Sequence, residues 1–127
     1  MPQAWDINIT CVCVCVWCGG RGVQDHFTLA VSAGDCGAGI KPPCFSLADA
    51  GTKVAITGTS ASELTLGLGH YMREHCGMTI GWTRGGGSNL FTPKTWPKIG
   101  ATPVAMRRST PWSYMMNVCT HSYSLVW

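Results

Sequence analysis

Charge is scarce in this chain: only 12% of its 127 residues are Asp, Glu, Lys or Arg, six acidic against nine basic. Apart from Arg107-Arg108 the cations are scattered, which leaves no basic stripe of the kind that binds nucleic acid. Long hydrophobic runs are missing as well. No stretch approaches the roughly 18 to 20 apolar residues of a membrane-spanning helix, so no membrane span is expected. There is no internal repeat, and low complexity is confined to an alternating Cys-Val run near the start.

Apolar residues are plentiful, at 46%, and the length suits one domain with a real core. Eight cysteines suit an oxidising, secretory route. Residues 9–17 have the length of a signal-peptide core, yet Asp6 precedes them where Lys or Arg is usual. Residues 1–23 therefore form a Cys-rich leader, signal-like or mis-started. Asn8-Ile9-Thr10 fits the glycosylation pattern.

Beyond the leader the pattern sharpens. Phe27, Leu29 and Val31 alternate with Thr28 and Ala30, predicting a half-buried strand, and residues 34–43 read as a loop. Phe45 and Leu47 alternate again, Asp49-Ala50-Gly51 reads as a turn, and Val54 and Ile56 continue into Gly58, predicting a hairpin. Ser60 and Glu63 have the spacing of a capping box, so a helix should start at Ala61. Leu64, Leu68, Tyr71, Met72 and His75 share its apolar face, while His70, Arg73 and Glu74 point away. Gly77 supplies its stop.

Gly67 and Gly69 cost such a helix roughly 1 kcal/mol each against alanine, which predicts close approach of its backbone to the sheet or to another domain. Met78, Ile80 and Trp82 then read as a strand, residues 83–88 as a glycine-rich turn, and residues 89–91 as a short returning strand. Pro93, Pro97, Pro103 and Pro111 punctuate a connector over residues 93–112. The fold class expected is α/β (α+β), a small mixed sheet carrying one main packed helix.

The last eleven residues read as a buried strand that places Asn117, Cys119, His121 and Tyr123 on one face. Such polar groups are costly to bury unless a ligand or a hydrogen-bond network meets them, so the segment reads as one wall of a site.

Three stretches carry a family resemblance: Gly58-Thr59-Ser60 leading into a glycine-bearing helix, His75-Cys76-Gly77-Met78-Thr79-Ile80-Gly81-Trp82, and Asn117-Val118-Cys119-Thr120-His121-Ser122-Tyr123-Ser124. Together they resemble alpha-N-acetylglucosaminidases over residues 25–127. The resemblance implies an N-terminal α/β accessory domain over residues 24–92, the connector, and at residues 113–127 the first strand of an incomplete (β/α)8 barrel. It further implies removal of terminal alpha-linked N-acetylglucosamine, as in heparan sulfate breakdown, by a retaining mechanism whose two carboxylates lie on later barrel strands. The implied partners are an N-acetylglucosamine-containing glycan and the missing barrel, with no cofactor and a lysosomal, vacuolar or extracellular location. Asn117, Cys119 and Tyr123 match positions of the family's pocket motif, and no catalytic residue is expected in this chain. Ser113-Tyr114-Met115-Met116 departs from the aromatic residues that usually precede the Asn-Val-Cys-Thr stretch.

A retaining glycosidase needs two carboxyl groups about 5 to 5.5 Å apart. Glu63 and Glu74, eleven residues apart on one helix, are separated by about 16 Å. Two other classes of function stay open: a carbohydrate-binding or interaction module using Trp82, Trp96 and Trp112, and a thiolate metal site at Cys11, Cys13, Cys15 and Cys18. Against the first, tryptophans beside prolines often cover a domain interface. Against the second, Cys15 and Cys18 have the spacing of half a zinc site and no second pair matches it, so no metal site is assigned. His75 reads as a core histidine, Cys76 as a buried small hydrophobe with a disulfide to Cys119 left open, and residues 84–88 as a hairpin turn rather than a phosphate cradle.

Overall fold

The computed structural model describes residues 23–37, 39–79 and 89–112. A short 3-10 turn, Val23–His26, leads into β1, Phe27–Val31. Next come β2, Cys44–Ala50, and β3, Lys53–Gly58. The helix α1, Ala61–Glu74, follows, and then a last strand β4, Val104–Arg107. The sheet runs β1-β3-β2-β4, with β1 parallel to β3 and the other pairs antiparallel. This is the expected small mixed sheet with one helix.

Alternation decides which face of the sheet is covered. Register aligns Phe27 with Val54, Leu47 with Ile56 and Phe45 with Gly58, so these residues share one face, and α1 lies across it with Leu64, Leu68, Tyr71 and Met72 buried against them. The tight β2–β3 connection is made by Gly51 at φ 65°, a left-handed conformation that favours glycine. Gly67 is where the helix comes closest to the sheet. A Cβ there would stand 3.0 Å from both Ile56 Cγ2 and Phe45 Cδ2, as expected of a spacing residue. Gly69 meets only the far end of Arg73, at 3.4 Å, and faces away from the sheet.

The helix start differs in detail from the expected capping box. Ser60 caps it, but Ser60 Oγ accepts from the amide of Ser62 at 3.2 Å, not from that of Glu63. The Ser60 hydroxyl in turn donates to the Glu63 carboxylate. Glu63 is drawn toward Arg108, 3.5 Å away, and this second partner explains why it does not reach back to the backbone. At the other end Gly77, at φ 65°, turns the chain so that its amide and that of Met78 return to the carbonyls of Arg73 and Met72, at 3.2 and 2.8 Å.

Two further expectations need correction. Met78 is buried, but neither it nor Thr79 is in a strand, and residues 89–91 form no strand either; Ile80, Trp82 and the turn at 83–88 lie outside the described residues. The stretch read as a connector instead contributes β4, which pairs with β2 in the register Cys44 to Arg107 and Leu47 to Val104. Trp96 is buried there too, and Ile99 and Val104 pack against the core. Prolines flank β4 but none interrupts it, and a four-residue edge strand tolerates such neighbours.

Candidate functional site

Most described carboxylates already have structural employment. Asp35 pairs with Lys41 at 2.7 Å on the surface. Asp49 accepts from the amides of Ile99 at 3.0 Å and Gly100 at 3.2 Å. Those bonds, the Ile99 amide foremost, hold its pKa below the ordinary carboxylate value. Glu63 is buried, with only 2% of its surface exposed, and takes Ser60 and Arg108 as partners. None of these three is poised as an acid or nucleophile.

Arg108 organises one corner of the molecule. Its amide donates to the Pro43 carbonyl at 3.0 Å. One guanidinium nitrogen faces Glu63 Oε1 at 3.5 Å, and another donates to the Pro111 carbonyl at 3.3 Å. Beside this corner a shallow depression of about 320 Å³ runs along the outer face of α1, lined by Ser62, Glu63, Thr65, Leu66, Gly69 and Arg73 together with Arg108.

A second polar cluster lies under the opposite end of the helix. The Tyr71 hydroxyl donates to the Pro97 carbonyl at 2.7 Å, and burial, followed by neighbouring Cys76, pushes the phenol pKa well up. His75 stacks on the Tyr71 ring with centroids 5.4 Å apart, but it is half-buried at the helix end and outside the core cluster, so the reading as a core histidine is corrected to a rim position. His70, expected to point away, is instead half-buried with its ring 5.6 Å from that of Phe45. Burial lowers its pKa. Cys76 is half-buried and packs against the core.

Of the three tryptophans considered as a sugar platform, Trp96 is core. It lies edge-on to Phe27 at 5.1 Å and stacked on Tyr71 at 6.3 Å. Trp112 is 81% exposed, and Trp82 lies outside the described residues. So do Asn117, Cys119, His121 and Tyr123, the Cys11–Cys18 cluster and the glycine-rich 84–88 turn. Among the described residues no three His, Cys, Asp or Glu side chains are grouped to hold a metal, and no helix is long and apolar enough to cross a membrane.

Sequence reasoning missed two features here. Cys36 and Cys44 form a disulfide with Cα atoms 6.0 Å apart, within the usual range. Their positions bracketing the Gly- and Pro-rich loop before β2 were the available signal. The Glu63–Arg108 pair is a contact across 45 residues, and no periodicity announces it.

The comparisons with known proteins decide the family. The model described as "Alpha-N-acetylglucosaminidase (NAGLU) N-terminal domain" matches residues 20–98. The chain belongs to the alpha-N-acetylglucosaminidase family. The human alpha-N-acetylglucosaminidase is 36% identical over 86 residues, covering 65% of this chain and 11% of that protein. A family 89 glycoside hydrolase from Clostridium perfringens, solved with PUGNAc, superposes at a TM-score of 0.64 with 26% identity over 78% of this chain. The same bacterium's enzyme with its substrate GlcNAc-alpha-1,4-galactose gives 0.63 and 27%. This chain therefore spans only about a tenth of the alpha-N-acetylglucosaminidases it matches.

Proposed function

We propose that this chain is the N-terminal accessory domain of a retaining glycoside hydrolase that removes terminal alpha-linked N-acetylglucosamine, with heparan-sulfate-type glycans as the substrate class. The observation that carries the reading is the match to the family's N-terminal domain over residues 20–98 at a tenth of the relatives' length. In this reading residues 113–127 are the first strand of the catalytic barrel, and the two carboxylates come from later strands. Asn117, Cys119 and Tyr123 line the sugar pocket. Asn117 hydrogen-bonds sugar hydroxyls, Tyr123 offers a ring face and a hydroxyl, and Cys119 forms a small polarizable wall.

The described residues support the non-catalytic part of this assignment. Asp35, Asp49 and Glu63 are engaged by Lys41, by backbone amides and by Arg108, and Glu63 and Glu74 are about 16 Å apart along the helix. The Cys36–Cys44 disulfide supports a secretory, lysosomal or extracellular location. Reading the transcript across the Trp127 codon and expressing the longest in-frame product tests the proposal. A frame continuing into alternating strands and helices, whose product cleaves a chromogenic alpha-N-acetylglucosaminide and loses affinity for it on Asn117→Ala, is expected. A continuation without a barrel bearing two carboxylates would overturn it.

A further inference from the structure

Two buried polar atoms in the residues that line the depression on the outer face of α1 have no hydrogen-bond partner: Glu63 Oε1 and Arg108 Nε. Glu63 is only 2% exposed. The Ser60 hydroxyl is bound to its other oxygen, and Arg108 faces Oε1 at 3.5 Å, an ion-pair distance that leaves this oxygen without a donor. Buried polar groups are normally paired. An orphan acceptor and an orphan donor within one ion pair, at one end of a cavity, therefore mark a place for a group that can serve both.

The rest of the depression has a different chemistry. Ser62, Leu66, Gly69 and Arg73 follow one another along it at helical spacing. Leu66 is 38% exposed and Gly69 has no side chain, so the middle of the trough is open and apolar. At the far end the exposed Arg73 forms no ion pair among the described residues. Its guanidinium lies over Gly69, with Nη1 3.4 Å from where a Cβ would stand. Since Arg108 matches Glu63, the charge left over in the trough is positive. The volume of about 320 Å³ falls at the small end of the roughly 300 to 1,000 Å³ of small-molecule sites.

We propose that this trough binds a hexuronate-containing disaccharide unit of an acidic glycan. A sugar hydroxyl both donates and accepts, so one hydroxyl donates to Glu63 Oε1 and accepts from Arg108 Nε. The Arg108 side chain, 19% exposed against 3% for Glu63, is the outer member of the pair and turns outward to admit it. The C–H face of the sugar packs on Leu66 and on the bare backbone at Gly69. The carboxylate takes the Arg73 guanidinium, whose planar fork suits it. Glu63 and Gly69 are six residues apart, about 9 Å along the axis, a span that two linked rings bridge and one does not. A neutral sugar leaves Arg73 without a counter-ion, and a simple anion leaves Glu63 Oε1 without a donor. The inference rests on the proposed function for the glycan that supplies the disaccharide, and it requires no turnover by this chain.

The test is an NMR titration of the whole 127-residue chain with cellobiouronic acid, with cellobiose, which carries a hydroxymethyl group in place of the carboxylate, and with acetate. Cellobiouronic acid is expected to shift the amides of Leu66 and Gly69 saturably, with an affinity several-fold above that of cellobiose. Arg73→Gln is expected to erase this difference, and Thr65→Trp, which fills the trough from an exposed position, to abolish the shifts. Arg107→Gln, which removes an exposed cation outside the trough, should leave them unchanged. Absence of saturable shifts, equal affinity for cellobiose, the same shifts with acetate, or equal losses with Arg73→Gln and Arg107→Gln would each overturn the proposal. Failure of the extended product to cleave a chromogenic alpha-N-acetylglucosaminide, with these shifts intact, would overturn the proposed function alone.

Discussion

Gly67 and Gly69 sit two residues apart on α1, and the same substitution has opposite outcomes at each. A Cβ on Gly67 would press at 3.0 Å on Ile56 and Phe45, both packed in the core, and overpacking of this kind costs about 1 to 3 kcal/mol. That exceeds the roughly 1 kcal/mol gained in helix propensity. On Gly69 the Cβ meets only the mobile tip of Arg73. Gly67→Ala is expected to lower the urea midpoint and Gly69→Ala to leave or raise it. Equal effects would show that the helix does not approach the sheet through Gly67. At His70, burial against Phe45 favours the neutral ring, while Glu74 opposes this and Arg73 and His75 add to it. Because the folded pKa is lowered, the unfolded chain takes up the proton first. His70's contribution is complete above its ordinary value of 6.5 and is lost as pH falls through the lowered folded value. His70→Gln is expected to flatten the acid-side decline of the melting temperature across that range, and an NMR titration of the ring should give a midpoint below 6.5.

Between elements, the contact that ties β4 to the helix start is Arg108 with Glu63. Removing one member of a buried pair leaves the other's charge uncompensated, at a cost of about 3 kcal/mol. Arg108→Met should therefore destabilise strongly, and Glu63→Leu combined with Arg108→Met should recover most of the loss. A double-mutant cycle in urea reads the coupling, and additive losses would show that the two do not interact. This pair also marks where sequence reasoning stops. Period-two alternation revealed β1, β2 and β3 because each buries one face, and Ser60, Gly67 and Gly77 marked the helix start, its close approach and its end. β4 was not legible, since Val104-Ala105-Met106-Arg107 is four residues long, lies among prolines and shows only weak alternation. Trp96 was read correctly as packing because proline-flanked tryptophans tend to cover neighbours. The Cys36–Cys44 disulfide and the Glu63–Arg108 pair depend on how distant segments are brought together by the sheet, which local pattern does not encode.

At the scale of the molecule, the described residues form one helix on one face of a four-stranded mixed sheet, residues 20–98 match the N-terminal domain of alpha-N-acetylglucosaminidases, and the chain spans about a tenth of the length of these relatives. In the proposed reading this domain supports a glycosidase without supplying its acid and nucleophile: Asp49 secures the loop at Ile99 and Gly100, Asp35 holds Lys41, and Glu63 anchors β4. The most direct test incubates the purified 127-residue chain with a chromogenic alpha-N-acetylglucosaminide. The account predicts no turnover above the buffer blank. Metal-independent turnover that disappears when Asp35, Asp49 or Glu74 is replaced by its amide, with the fold retained, would contradict it, because the catalytic carboxylates would then lie within this domain.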